Sequence, residues 1–198
     1  MKAEWRSLPF LGWAVLLKAR DNKKNRRTAH VVCCADTHRH RGKHTDTMQK
    51  NVSAEVLERC FIPYYEEQKR IRGEWTTQTK VLFPGYVFMI TENVEALYEE
   101  LKTIIGLTKL IGTGEEIVPL QEEEIAFLES FGGAKQVVEM SQGVIEHSQV
   151  KVTSGPLQGK EGYIRKIDRH KRKAWLEIEM FGRAQNIQVG LEIVAKIE

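Results

Sequence analysis

Cys33, Cys34, His38, His40 and His44 are the side chains of this sequence that could hold a soft metal or activate a nucleophile. Adjacent cysteines rarely ligate one ion together, and no second cysteine pair follows at finger spacing. No metal and no cofactor are therefore assigned. No nucleophile–base pair stands out, and no glycine-rich phosphate loop with a following Lys-Ser/Thr is present. A metal-dependent nuclease using the Cys/His cluster is the enzyme alternative, but the expectation is a protein that binds rather than catalyses.

Two basic runs carry binding chemistry. One is the loop 38–44, with Arg39, Arg41 and Lys43. The other is 169–173, with Arg169, Lys171, Arg172 and Lys173. Such clusters contact phosphates, with roughly one counterion released per contact. The plainer reading of each is a solvated hairpin tip. A third feature is the apolar run 81–89, Val-Leu-Phe-Pro-Gly-Tyr-Val-Phe-Met. Pro84 has no N–H for a ladder, so it marks a strand entry, an edge or a bulge, and the strand proper begins near Tyr86. Tyr86 and Phe88 then share one face, Val87 and Met89 the other. One face can seal a core while the other shows aromatics to a partner; alternatively all four are core.

Alternating and helical patterns predict the elements that position these residues. Strands are expected at 31–34, at 60–65 and at 75–82, with Gly73 in the turn between the last two. The piece 13–17 is a further strand candidate. A helix is expected from Asp46 or Thr47 to about Leu57. Val94, Leu97, Tyr98 and Leu101 form one helical stripe, capped by Thr91 or Asn93. Glu122, Glu123 and Glu124 suit the first turn of another helix, which Gly132 and Gly133 end. Residues 134–146 lack a period and read as a linker. Beyond them come five short strands, at 149–152, 162–167, 174–180, 184–189 and 192–197, the pattern of a small barrel.

The chain has 198 residues and a net charge of +3. The charge is unevenly spread: +8 over 1–45, −8 over 46–133 and +3 over 134–198. Surfaces of different sign suggest different partners. Apolar runs are too short for a membrane span, and no small-residue cleavage site follows 8–17. Three cysteines make no disulfide framework, so a reducing, cytoplasmic location is expected. A monomer is expected.

The segment 150–162, with Gly155, Pro156, Gly159 and Gly162, resembles the KOW motif of SH3-like barrels in transcription and ribosomal proteins. The segment 181–184, Phe-Gly-Arg-Ala, resembles the stretch before the last strands of the NusG C-terminal domain. Phe61-Ile62-Pro63, the charged hairpin and 83–88 resemble the N-terminal (NGN) domain of NusG-type elongation factors, and 105–112 and 119–124 continue it in order. Segments 57–64 and 106–116 look most like the LoaP branch, specialised antiterminators of selected operons. The start departs from the family: no Trp-Tyr pair leads strand one, and no Gly-x-Glu opens the first helix.

The resemblance implies an α+β architecture. An N-terminal extension (1–29) would precede an NGN domain (30–133), an antiparallel sheet flanked by helices. A linker (134–146) would join it to an all-β SH3-like KOW barrel (147–198). It implies docking on the clamp helices of RNA polymerase through Phe83, Tyr86 and Phe88, and contact with nascent RNA or non-template DNA. It implies that Phe181 meets ribosomal protein S10 or Rho, against the alternative of a core or rim aromatic. The function implied is processive antitermination. The alternatives are a housekeeping NusG-type factor and a ribosome-associated RNA-binding module.

Overall fold

The computed structural model describes residues 30–35, 49–103, 109–110, 112–113, 116–117, 119–133 and 135–197. The expected extension 1–29, with its strand candidate at 13–17, and the basic loop with Arg39, Arg41 and Lys43 lie outside the described residues.

In chain order the first unit contains β1 (His30–Ala35), β2 (Arg59–Phe61), β3 (Tyr64–Ile71), β4 (Glu74–Val81), β5 (Tyr86–Thr91) and helix α1 (Val94–Lys102). Three two-residue strands follow, β6 (Lys109–Leu110), β7 (Gly112–Thr113) and β8 (Glu116–Ile117), and then helix α2 (Glu122–Gly132). β2, β5, β1 and β6 form one antiparallel sheet in that order. β5 is buried on both faces, as its unbroken apolar sequence demands. Val87 and Met89 pack with Val32, Cys60, Ile62, Leu97 and Leu101, which places α1 on that side. Phe88 and Ile90 pack with Val31, Phe61, Leu128 and Phe131, which brings α2 to the other.

Asn93 is the N-cap of α1: its side-chain oxygen accepts the Ala96 N–H at 3.0 Å. Thr91 instead donates its hydroxyl to the Val56 carbonyl at 2.7 Å and receives the Asn93 N–H. Asn93→Ala is expected to cost about 1 kcal/mol, read as a lower midpoint in thermal denaturation. Tyr98 leaves the expected apolar stripe and lies exposed, with the Lys102 ammonium 4.1 Å from its ring centre.

The helix expected through Leu57 ends early: 49–51 are helical, and the chain turns away at Val52. The cause is tertiary. Ser53 donates its N–H and its hydroxyl to the Glu100 carboxylate, at 2.7 and 2.8 Å, which a continuing helix would not allow. The single strand expected at 60–65 is broken at Pro63, whose carbonyl receives the Leu82 N–H. β3 and β4 form an eight-on-eight hairpin closed by Arg72 and Gly73, both at positive φ as a type I′ turn requires.

The second unit contains β9 (Val137–Val138), β10 (Ser141–Glu146), β11 (Gln149–Ser154), a 3₁₀ turn (Glu161–Tyr163), β12 (Ile164–Asp168), β13 (Lys173–Met180) and β14 (Arg183–Ile197). Its five-stranded sheet runs β11-β10-β14-β13-β12. β9 pairs in parallel with β3 and so adds to the first unit's hairpin. The segment expected as a linker thus supplies two strands. β10 showed no period because its inward residues are Ser141 and Gly143, not hydrophobes. Ser141 is fully buried, with its hydroxyl accepting the Leu157 N–H at 3.1 Å. The two strands expected at 184–189 and 192–197 are one, β14: it pairs antiparallel with β13 and then in parallel with β10.

Gly155 has φ +94°, and an added Cβ would lie 2.7 Å from the Ser141 Cα, so the loop closes over β10 only with glycine there. Gly159 also has positive φ, while Gly162 sits in the 3₁₀ turn with its carbonyl accepting from Arg165.

Candidate functional site

Phe83, Phe88 and Phe61 build a small aromatic layer on the α2 side of the sheet, with Phe88 5.4 Å from Phe61 and 5.6 Å from Phe83. Phe83 and Phe88 are buried; Tyr86, at the start of β5, is half-buried. What covers them comes from the barrel. Phe181 stacks on Tyr86 at 5.1 Å and 11°, and lies 5.9 Å from Phe88 and 6.2 Å from Phe83. Phe181 is the first central residue of the β13–β14 turn, at φ +59°, a backbone state that bulky side chains rarely adopt. Its N–H donates to Glu124 Oε1 at 2.6 Å, while Glu124 Oε2 receives the Gln121 N–H in the α2 capping box. One carboxylate therefore ties the helix start to the barrel turn. Arg183 donates to the Tyr86 hydroxyl, and Phe127 of α2 meets the Tyr163 ring edge-on at 5.6 Å.

A second, polar contact lies along β3. Glu67 is 5% exposed, and its Oε2 accepts from Lys173 at 2.7 Å, from Tyr65 at 3.2 Å and from Gln188 at 3.3 Å. Gln188 also donates to the Tyr65 oxygen at 2.8 Å. Burial, then the Glu67 charge, push the Tyr65 phenol far above the usual tyrosine range, so it remains a neutral donor. Beside this network Arg172 donates to Gln68, pairs with Glu192 at 3.0 Å and lies 4.1 Å from the Trp75 ring centre. The Met140 N–H reaches Glu66, and an added Cβ on Gly190 would come within 2.5 Å of the Glu66 carbonyl, so only glycine lets β14 approach β3.

A family model described as transcription termination factor nusG matches residues 37–129. The NusG transcription termination/antitermination proteins of Staphylococcus aureus strains Mu50 and N315 are each 29% identical over 147 residues. The matches cover 72% of this chain and 80% of each relative. A solved structure, Domain interaction in Thermotoga maritima NusG, superposes with a TM-score of 0.53 at 19% identity, over 82% of this chain and 94% of that one. Over residues 37–129 the chain is similar to the NusG family. Its fold is the NGN domain followed by a β-rich KOW barrel, as the sequence resemblance implied.

In this chain the residues that sequence reasoning gave to separate partners meet each other. Phe83, Tyr86 and Phe88, expected on an open docking face, form one cluster with Phe181. Phe83 and Phe88 are core residues here, which leaves Tyr86 as the rim of that face. The basic run is split. Arg169 and Lys171 are exposed at the β12–β13 tip, whereas Arg172 and Lys173 turn into the domain contact. The reading of the whole run as a solvated hairpin tip is corrected for those two.

Glu67, Glu124 and Gln188 escaped sequence reasoning. Glu124 reads as an ordinary first-turn acid. Glu67 carried a faint signal, because it alternates with Tyr65 on a strand whose other face is polar.

Proposed function

We propose that this NusG-type factor docks on the clamp helices of RNA polymerase through the face rimmed by Tyr86 and backed by Phe83 and Phe88, and acts as an antiterminator on selected operons. The observation that carries the reading is the cover of that face by Phe181. A surface held shut by its own chain binds with an affinity reduced by the fraction of molecules that are open. Such a factor needs a local signal before it engages, which suits recruitment to few transcription units rather than to most. No catalysis is involved: binding that favours the closed, elongating clamp shifts the pausing equilibrium. Opening would free Phe181 at the same time, so contact with ribosomal protein S10 or Rho belongs to the same open state. Arg169 and Lys171 are the barrel's nucleic-acid contacts on this reading.

Phe181→Ala tests it. With purified polymerase core, the variant is expected to bind more tightly than the parent chain. The gain is about tenfold for each 1.4 kcal/mol by which closure is weakened. Equal binding by parent and variant would mean that the cover does not gate docking. Polymerase occupancy mapped across a genome separates the specialised role from the housekeeping one: recruitment to most genes excludes the former.

A further inference from the structure

The domain contact places two hairpin tips side by side, and neither tip alone carries the surface that results. Arg172, from the β12–β13 turn, lies over Trp75 and bonds Gln68, both on the β3–β4 hairpin. Trp75 is the cross-strand partner of Arg70. Around this joint the hairpin exposes Lys69, Arg70 and Arg72, and the barrel exposes Arg169 and Lys171. Opposing charge is sparse. Asp168 holds the Lys171 N–H and stands 3.7 Å from its ammonium, Glu192 is taken by Arg172, and Glu74 stands at the hairpin turn. An exposed ion pair such as Lys171–Asp168 is weak and screened. One large apolar group, Trp75, 38% exposed, stands beside Arg70 on this face, while Ile71, paired with Glu74, is on the hairpin's other face.

We infer that the joined tips form one binding surface for single-stranded nucleic acid, made of residues from both domains. The cations take the phosphates and Trp75 offers a platform to an unstacked base. Cations interleaved with an exposed aromatic suit a single strand, because every base presents a π-face once it is out of a duplex. A duplex keeps its bases stacked and offers this surface phosphates alone. The inference rests on the nucleic-acid role proposed above for the barrel tip, and not on polymerase docking. It adds a consequence: a strand held by both tips binds the closed form, so it holds the aromatic face shut.

Fluorescence anisotropy of the full chain with a labelled ten-nucleotide oligouridine, across several salt concentrations, tests this, with polymerase-core binding measured on the same samples. Lys69→Ala with Arg72→Ala, on the hairpin, should weaken binding and flatten the log–log salt slope by about 0.7 for each phosphate no longer neutralised. Arg169→Ala with Lys171→Ala should do the same. Trp75→Ala should weaken binding about fivefold or more, and Trp75→Phe should restore much of it. Phe181→Ala should also weaken RNA binding while raising polymerase binding, although it touches neither tip. Oligodeoxythymidine should bind comparably, and a ten-base-pair duplex markedly less. Weakening confined to the barrel pair, with the hairpin pair and Phe181→Ala unchanged, overturns the composite surface. Duplex binding equal to single-strand binding, or indifference to Trp75→Ala, overturns the ligand class. If polymerase binding fails while these RNA results hold, the docking proposal falls and the nucleic-acid surface stands.

Discussion

Lys173→Ala is expected to part the two domains without unfolding either of them. Lys173 supplies the only cation that reaches the Glu67 carboxylate among the described residues, and the two side chains are 19% and 6% exposed. Removing one partner of a buried pair costs about 3–5 kcal/mol, because the other charge stays desolvated. Tyr65 and Gln188 still donate to Glu67 after the substitution, but both are neutral. The chain has an escape that a core charge lacks: if the barrel moves off β3, Glu67 returns to water. The penalty therefore appears in the opening equilibrium. Paired labels on β4 and β12, read by energy transfer, should show the domains separating, while the thermal transition of each unit stays near its parent value. The reversal is as informative. Lys173→Met combined with Glu67→Leu removes both charges and should restore closure, since replacing a buried pair by apolar groups is often neutral or stabilising. Undiminished energy transfer in Lys173→Ala would mean that the aromatic contact at Phe181 suffices to hold the domains together.

The first unit was legible wherever local pattern and tertiary demand agree. β5, α1 and α2 each carry a full apolar face, and caps such as Asn93 or the Gln121–Glu124 box mark their ends. The pattern failed where a single long-range contact outweighs it. Ser53 ends a helix for the sake of Glu100, and Ser141 is an inward strand residue because Leu157 needs its hydroxyl. β10 is the clearest case: a strand whose buried positions are serine and glycine has no hydrophobic period to read.

The candidate site was half legible for a different reason. Composition singles out Phe83, Tyr86, Phe88 and Phe181 as aromatics, and the resemblance assigns them to partners. Nothing in a sequence says that two such sites face each other. The contact is built from residues about a hundred positions apart, such as Tyr86 with Arg183 and Glu67 with Lys173. Each member has an ordinary local reading, as a hairpin cation, a strand acid or a turn aromatic. The run 169–173 shows the limit most plainly: five consecutive polar residues look alike, yet the fold buries one end of the run against β3 and leaves the other in water.

Tyr86→Ala separates docking from packing, and the closed arrangement dictates how the test must be arranged. Phe88→Ala is of little use, because deleting a fully buried phenylalanine costs about 3–5 kcal/mol of fold stability. Tyr86 differs. It stands at the first position of β5, half-buried, with its ring on Phe181 and its hydroxyl on Arg183, so most of what it touches lies in the other domain. In the parent chain its removal has two opposed effects. On the proposed docking, it would loosen the cover, which favours polymerase binding, and delete the proposed aromatic anchor, which disfavours it. The second effect is isolated in a Phe181→Ala background, where the cover is already weakened. There Tyr86→Ala is expected to cost about 2 kcal/mol or more of binding, about a thirtyfold drop in affinity for polymerase core. Thermal unfolding should stay cooperative, since the β1–β5–β2 ladder and both core faces are untouched. If the double variant binds polymerase as well as Phe181→Ala alone, Tyr86 is no anchor and the docking face lies elsewhere. If cooperative unfolding is lost instead, Tyr86 belongs to the core of the NGN domain, and its stacking on Phe181 serves the fold.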